Sequence, residues 1–263
     1  MATVRSAAVA GMFYPADRAE LAATVRDLLQ DVEQPAVAGK AMIVPHAGFV
    51  YSGPTAALGY ASLAGARDRV SRVVLLGPCH RVALRGLALP GSDYFDTPLG
   101  RIGVDSELAQ RVSKLPYVVT SVAAHAEEHS LEVQLPFLQG VLPTAAIVPL
   151  AVGRATPDEV AAVLDEVWGG DETLIVISSD LSHYLPEAEA IVRDKQTIDQ
   201  ILRLDGPLEY DQACGAGPIN GLLLVAARRR MTARLLGRST SADTIGSRHR
   251  VVGYAAIAFD ESV

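Results

Sequence analysis

Histidine, cysteine and acidic residues recur in this chain in five short polar segments, which follow an apolar run or lie in a turn rich in glycine and proline. The segments read P-H-A-G at residues 45–48, G-P-C-H at 77–80, H-A-E-E-H-S-L-E at 125–132, S-S-D-L-S-H at 178–183 and C-G-A-G-P at 214–218. In an open α/β sheet, residues beyond the carboxyl ends of the strands face one crevice, so distant imidazoles and a thiol can converge there. The pattern indicates a metal or redox site.

His46 and His80 are the first two candidate metal ligands. His46 follows A-M-I-V and His80 follows V-V-L-L-G-P, and both runs are typical of a buried strand that ends in a turn. One histidine in such a turn is as often a core residue as a ligand, but two in the same relation to a strand support each other. A pair of neutral imidazoles suits iron, copper or zinc.

Cys214 is the candidate third ligand, because a thiolate is a soft anionic donor that gives up its proton when it binds a metal. Two alternatives stay open: a buried free cysteine that packs before a helix starting near Pro218, and a nucleophile activated by that helix and an imidazole. Cys79 is adjacent to His80 and therefore points to the opposite side of an extended chain. Its role is not predicted.

Asp180 and His183 follow the strand-like run T-L-I-V-I-S-S and are close enough in sequence for the carboxylate to orient the imidazole. This pairing predicts that Asp180 and His183 are catalytic residues that transfer protons. The alternative is structural: Asp180 caps a helix after the strand, and His183 packs locally.

The H-A-E-E-H-S-L-E segment contains two histidines four residues apart, a spacing that resembles zinc hydrolases. In H-E-x-x-H the glutamate follows the first histidine directly, whereas Ala126 follows His125 here, so a zinc hydrolase is the weakest interpretation. Glu128, His129 and Glu132 are instead predicted to form a polar network around the pocket.

Helical and extended patterns alternate from end to end without a linker or repeat. They predict one α/β domain, residues 1–263, with a central mixed or parallel sheet flanked by helices. Strands are predicted at 41–44, 73–76, 86–90, 118–121, 145–152, 174–177 and 251–259, with a hairpin at 93–100. Helices are predicted from an Asp17–Glu20 capping box to about Gln30, from Gly53-Pro54 onward, around 106–112 and from Thr156 onward.

Composition limits the function classes. At 263 residues and 49% hydrophobic content, a sizeable core is expected. The formal charge of -7 argues against binding to nucleic acid or anionic lipid. No apolar run approaches the roughly 18 residues of a membrane span, the N-terminus has no secretory signal pattern, and the 2 cysteines cannot make a disulfide framework. A soluble protein of the reducing cytoplasm is expected.

Five segments together resemble the Memo family, which in prokaryotes is called AmmeMemoRadiSam system protein B. They read P-H-A-G-F-V-Y-S-G, L-L-G-P-C-H, E-H-S-L-E-V-Q-L-P-F-L, S-S-D-L-S-H-Y and C-G-A-G-P-I. The resemblance extends from A-G-M-F-Y-P near the N-terminus to V-V-G-Y-A near the C-terminus, so it covers nearly the whole chain.

The resemblance implies a fold similar to the catalytic subunits of class III extradiol dioxygenases, non-haem enzymes that bind iron(II) through two histidines and a glutamate. By this resemblance His46 and His80 match the two histidine ligands, and Cys214 stands at the third. His183 resembles the proton-handling histidine. A thiolate in place of the carboxylate changes the softness of the ligand and the redox potential of the metal. Copper and zinc are therefore alternatives to iron(II), and the resemblance does not imply that this protein cleaves catechol rings.

These observations predict a metal-dependent oxidoreductase, with non-haem iron as the first choice of cofactor, that acts on an unknown small molecule or peptide. The resemblance places Phe13 and Tyr51 in the pocket wall. The alternative function is a non-catalytic protein that holds a peptide or a modified residue in the same pocket. The prokaryotic family name implies a radical SAM protein and an AMMECR1-like protein as partners, and no nucleic-acid or membrane partner is expected.

Overall fold

A computed structural model describes residues 2–33 and 39–261. Within these residues the strands are β1 (Val4–Arg5), β2 (Ala41–Val44), β3 (Arg72–Pro78), β4 (Leu87–Leu89), β5 (Tyr94–Thr97), β6 (Gly100–Gly103), β7 (Val118–Thr120), β8 (Ala146–Val152), β9 (Thr173–Ser178), β10 (His183–Leu185), β11 (Thr232–Thr240) and β12 (Val251–Asp260). The α-helices are α1 (Arg18–Gln30), α2 (Phe49–Ala61), α3 (Ser106–Val112), α4 (Val122–Ala126), α5 (Leu135–Val141), α6 (Pro157–Val167), α7 (Glu187–Leu202) and α8 (Ala216–Arg228).

The central sheet has the strand order β10-β12-β2-β9-β3-β8-β4-β7, and β11 also pairs with β12. Its middle strands β2, β9, β3 and β8 are parallel, whereas β12 and β4 run antiparallel to their neighbours β2 and β8. A small second sheet joins β1, β5 and β6, and the predicted hairpin connects β5 to β6. The predicted α/β fold with a mixed sheet is confirmed, and the carboxyl ends of the four parallel strands share one edge.

Helices cover both faces of the central sheet. Strand residues alternate between the faces: Ile43 and Leu76 pack with α3, α6 and α8, whereas Val44 and Leu75 pack with α1, α2 and α5. Burial on both faces explains why the central strands are continuous apolar runs. In the part of the chain that the structure describes, no helix is both long and apolar enough to cross a membrane.

Two helix starts use capping side chains. Asp17 caps α1 by accepting two backbone N–H bonds, and the helix ends at Gln30 as predicted. The other half of the predicted capping box, a bond from the Asp17 backbone to the Glu20 side chain, is absent among the described residues. At α6, Thr156 caps the helix as predicted, and Glu159 returns the reciprocal bond.

The predicted start of α2 is wrong. The helix begins at Phe49, so Gly53-Pro54 lies within it rather than opening it. Proline leaves the carbonyl of Val50, one turn earlier, without a donor, but Val50 is 53% exposed and water can replace the bond. Gly53 is explained by packing, because a Cβ there would lie 2.9 Å from a methyl carbon of Leu28 in α1.

Candidate metal centre

A cavity of about 520 Å³ opens at the edge of the sheet where β2, β3 and β9 end. Ten of the described residues line it: His46, His80, Arg81, His129, Asp180, His183, Tyr184, Tyr210, Asp211 and Cys214. The structure therefore brings together the three predicted metal ligands and both predicted catalytic residues, which are far apart in the sequence.

Three of these side chains, His46, His80 and His129, each offer a ring nitrogen, and the three nitrogens lie within 4.8 Å of one another. The ring centroid of His46 is 5.4 Å from those of both other histidines, and the His80 and His129 rings stack at 4.8 Å. Such a group can hold one metal ion. His129, predicted to belong to the surrounding polar network, lies in the cluster itself.

A chain of hydrogen bonds fixes which nitrogen of His46 is protonated. Ser178 Oγ donates to the Ser130 carbonyl at 2.6 Å, so its contact of 2.9 Å with His46 Nδ1 must run from the ring N–H to the hydroxyl. Gln134 Nε2 also donates to Ser178 Oγ, at 2.7 Å. Nδ1 therefore carries the proton, and the lone pair of Nε2 can bind a metal.

His80 is oriented by Glu128. Glu128 Oε1 accepts a hydrogen bond from His80 Nδ1 at 2.9 Å, and Oε2 accepts one from the His80 backbone. Burial opposes ionisation of this carboxyl, but the bonds from His80 and from the Ser130 backbone outweigh it and lower the pKa of Glu128 to about 2. A carboxylate on one ring nitrogen makes the other nitrogen a better metal ligand.

His129 Nδ1 is buried and has no hydrogen-bond partner among the described residues. It lies 3.4 Å from Glu128 Oε1 without forming a hydrogen bond, and the Phe13 ring packs against its ring at 4.7 Å between centroids. Buried polar atoms without a partner are rare in folded proteins, and an ion or a water that binds there explains many of them. One nitrogen of the His129 ring therefore has no partner among the described residues, in a ring that belongs to the three-histidine group.

Burial keeps the imidazoles of His46 and His129 neutral. It lowers the pKa of His46 to about 3 and that of His129 to about 4, and the neighbouring histidines add to both shifts. Metals bind the neutral form of imidazole, so no proton has to leave an imidazolium at pH 7 before either ring can bind.

Cys214 Sγ lies 3.3 Å from His46 Nε2. Since Nε2 carries no proton, the thiol donates to it. Burial, with a contribution from Asp180, raises the pKa of Cys214 to about 12, which disfavours a role for this thiol as an activated nucleophile. Cys214 is not, however, one of the described residues whose ligand atoms all lie within 4.8 Å of one another; its sulfur is in contact with His46.

His183 and Asp180 line the same cavity but bond to different partners. His183 Nδ1 donates to the Leu181 carbonyl at 2.8 Å, which leaves Nε2 free to take a proton. Asp180 Oδ1 accepts the His46 backbone N–H at 2.8 Å, and burial raises the pKa of Asp180. The strand β10, not a helix, follows Asp180, so this residue connects the His46 turn to the end of β9 instead of capping a helix.

The remaining predicted pocket residues lie farther out. Glu132 is fully buried, and its carboxylate accepts bonds from Arg5, Tyr14 and two backbone N–H groups of the N-terminal segment. Tyr51 lies in α2 and is not among the described residues that line the cavity. Phe13 also does not line it and contributes through its contact with a histidine ring.

Several site residues have no strong signal in the sequence. Ser178 and Gln134 orient His46, yet only the polar glutamine within the apolar run V-Q-L-P-F-L indicates that a side chain there needs a partner. Arg81, Tyr184 and Tyr210 line the cavity from irregular segments or a short strand. Tyr184 has a φ of 61°, a conformation that is uncommon outside glycine and that no sequence pattern predicts.

Residues 5–258 match the family model described as Memo-like protein. Relatives that are each called MEMO1 family protein include one from Aquifex aeolicus, 37% identical over 272 residues, and one from Archaeoglobus fulgidus, 35% identical over 273 residues. A third, from Pyrobaculum arsenaticum, is 34% identical over 280 residues. Each comparison covers 97% of this chain and 99% of the relative.

Among solved structures, the chain is similar to the uncharacterized protein JW3007 from Escherichia coli K12, with a TM-score of 0.52. The match covers 82% of this chain and 98% of that protein at 15% sequence identity. At this identity the likeness concerns the fold alone, and it agrees with the α/β architecture.

Proposed function

Because this chain belongs to the Memo family, we propose that it is a metal-dependent oxidoreductase that holds iron(II) in the cavity at the sheet edge. The observation that supports the proposal most is the group of three ring nitrogens at His46, His80 and His129. Imidazole binds iron, copper and zinc. The resemblance to class III extradiol dioxygenases favours iron(II) over the other two.

His46 and His80 are assigned as two ligands and Cys214 as the third. The contact between the sulfur and His46 Nε2 supports Cys214, and metal binding would remove the thiol proton. His129 is the competing third ligand, because its ring nitrogen lies in the same group as those of the other two histidines.

The side chains of this chain have separate tasks in the proposed reaction. When bound, iron(II) would supply one-electron chemistry and open positions for substrate and oxygen. His183 holds or moves a proton at Nε2, because its Nδ1 is occupied by a backbone carbonyl. Glu128 and Ser178 keep the rings of the two histidine ligands from turning, and Asp180 fixes the turn that carries His46.

Metal quantification on protein purified without oxygen from iron-rich medium tests the metal site. We expect about one iron per chain, and loss of that iron in His46→Ala because the variant removes a ligand. His249→Ala removes an exposed histidine outside the cavity and is the matched control that should retain the metal. Unchanged metal affinity in His46→Ala would contradict the proposal.

The third ligand is tested by comparing Cys214→Ala with His129→Ala. If Cys214 binds the metal, its variant loses more affinity, and the visible absorption of a metal–thiolate bond disappears from the oxidised protein. A larger loss of affinity in His129→Ala, with unchanged absorption in Cys214→Ala, would assign the third position to the imidazole instead.

Oxygen uptake in the presence of catechols separates an oxidoreductase from a protein that only holds a peptide or a modified residue. We expect metal-dependent uptake that His183→Ala abolishes while its iron content is unchanged. Metal-loaded protein that binds such compounds without consuming oxygen would favour the binding protein.

The prokaryotic family name supports one further proposal, an association with a radical SAM protein and an AMMECR1-like protein. Co-purification with the tagged chain from its own cells tests this association. Recovery of neither protein under mild conditions would count against it.

A further inference from the structure

A second cavity, of about 830 Å³, adjoins the metal cavity and shares His80, Tyr210 and Cys214 with it. Arg85 and Arg154 also line this second cavity. We propose that the two arginines form an anion-binding subsite for a carboxylate or phosphate group of the substrate, whose reacting end lies at the metal centre. The inference rests on the proposed function, because it names the class of molecule on which that centre acts.

The backbone sets the two arginines side by side. Arg85 and Arg154 pair in an isolated parallel bridge. In it, Arg154 N–H donates to the Leu84 carbonyl at 2.8 Å, and Gly86 N–H donates to the Arg154 carbonyl at 2.9 Å. Residues paired in this way lie about 5 Å apart and project their side chains to the same face. Gly153 permits the close approach, since a Cβ there would lie 2.2 Å from the Leu84 carbonyl oxygen.

The two arginines have no acidic partner among the residues that the structure describes. Neither Arg85 nor Arg154 forms an ion pair in the described part of the chain, and none of the described aspartates or glutamates lines the second cavity. The whole chain has 30 acidic and 23 basic residues, so a cavity with two guanidiniums and no carboxylate departs from its general charge. Both arginines are exposed, so water screens the repulsion between their charges. Their backbone pairing sets two guanidiniums side by side, and carboxylate and phosphate match the geometry of a guanidinium.

The other residues that line the second cavity indicate the chemistry of the rest of the ligand. Val82, Leu84 and Val152 supply apolar surface, and Tyr210 supplies an aromatic ring. The volume lies in the range of small-molecule pockets, roughly 300–1,000 Å³. The subsite therefore fits a small molecule with an apolar or aromatic body and an anionic end. The adjoining metal cavity adds the guanidinium of Arg81 and the carboxyl groups of Asp180 and Asp211.

Calorimetric titration of three probes tests the subsite: benzoate, phenyl phosphate and neutral benzyl alcohol, each added to the protein with and without iron(II). We expect the anions to bind at least about tenfold more tightly than the alcohol, because charge-assisted hydrogen bonds are stronger than neutral ones. The tighter anion identifies the natural group as carboxylate or phosphate. In the double variant Arg85→Gln/Arg154→Gln, the affinity for both anions should fall to the affinity for benzyl alcohol. The double variant Arg85→Lys/Arg154→Lys keeps both positive charges and should retain part of the preference for anions over the alcohol.

The matched control is the double variant Arg67→Gln/Arg69→Gln, which removes the same amount of positive charge. These two arginines precede β3, whereas the metal centre lies beyond the carboxyl end of that strand. It should bind all three probes like the unaltered protein. Equal binding of charged and neutral probes, or the same loss in the control pair, would overturn the inference. If the protein held no metal but still bound anions through Arg85 and Arg154, only the proposed function would fail.

Discussion

Glu128 and Glu132 belong to one short segment and both carboxylates are buried, yet they bond to different kinds of group. Glu132 accepts bonds from Arg5, from Tyr14 and from backbone N–H groups of the N-terminal segment, so all of these partners are fixed parts of the fold. Glu128 accepts a bond from the ring of His80, and that ring also lines the metal cavity.

The difference distinguishes a carboxylate that stabilises the fold from a carboxylate that orients a candidate metal ligand. A network in which each donor and acceptor is used stabilises the fold but offers nothing to a bound ion. A network that ends on an imidazole leaves the second ring nitrogen for a metal. The two networks are connected, because Arg5 donates to the carbonyls of His125 and Glu128 and so holds the turn that carries Glu128.

The largest expected effect is the loss of stability in Glu132→Gln. The variant leaves the buried Arg5 guanidinium without its counter-ion, and removing one partner of a buried ion pair costs about 3–5 kcal/mol. Urea unfolding followed by circular dichroism measures the change in the free energy of unfolding. Glu127→Gln, at an exposed neighbour, is the control and should change it by less than about 0.5 kcal/mol. Equal effects of the two substitutions would show that Glu132 is not a structural carboxylate.

Glu128→Gln is expected to act on metal affinity. The amide can still accept a bond from His80 but has no charge, so the ring becomes a weaker ligand and affinity falls roughly 10–100-fold. Competition with a chelator measures this affinity in iron(II)-loaded protein under conditions where each variant is folded. Glu132→Gln should retain more affinity than Glu128→Gln. The reverse order would remove the distinction between the two carboxylates.

The sequence predicts the part of the site that depends on regular structure. His46 and His80 follow apolar strands of a parallel sheet, and their convergence is a property of the topology that the apolar runs reveal. The place of His129 depends instead on the irregular path between α4 and α5, which Arg5 helps to fix from the N-terminus. A contact between such distant residues produces no periodic pattern, so His129 is predicted near the cluster but not in it.

Prediction of the fold from the sequence has the same limit. The buried central strands are continuous apolar runs and are predicted, whereas β11, T-A-R-L-L-G-R-S-T, has no such run and is missed because most of it is only half-buried. Gly53-Pro54 predicts a helix start by local preference. At Gly53 the side chain of Leu28 packs closely, within 2.9 Å of where a Cβ would lie, and local preference does not include such a tertiary contact.

Tyr14→Phe is expected to have the smallest effect, and one that depends on pH. Burial and the adjacent Glu132 raise the pKa of Tyr14 above its usual value near 10. The folded protein therefore holds this proton more tightly than the unfolded chain. As a result, the contribution of Tyr14 to stability is fully present below about pH 10 and is lost as the pH rises through the folded pKa. At pH 7 we expect the substitution to lower the free energy of unfolding by about 1.5–2 kcal/mol, in the lower part of the range for one hydrogen bond to a charged group.

Urea unfolding of both proteins at pH 7 and at about pH 10.5 checks this expectation, since the difference between them should shrink at the higher pH. Tyr210→Phe, at a tyrosine that is 62% exposed, is the control and should change the free energy of unfolding at pH 7 by less than about 0.5 kcal/mol. Because Tyr14 bonds to Glu132 and not to a metal ligand, Tyr14→Phe should leave iron(II) affinity unchanged at pH 7. A loss of iron in this variant would mean that the Glu132 network reaches the metal cavity, and the contrast between the two carboxylates would then be one of degree.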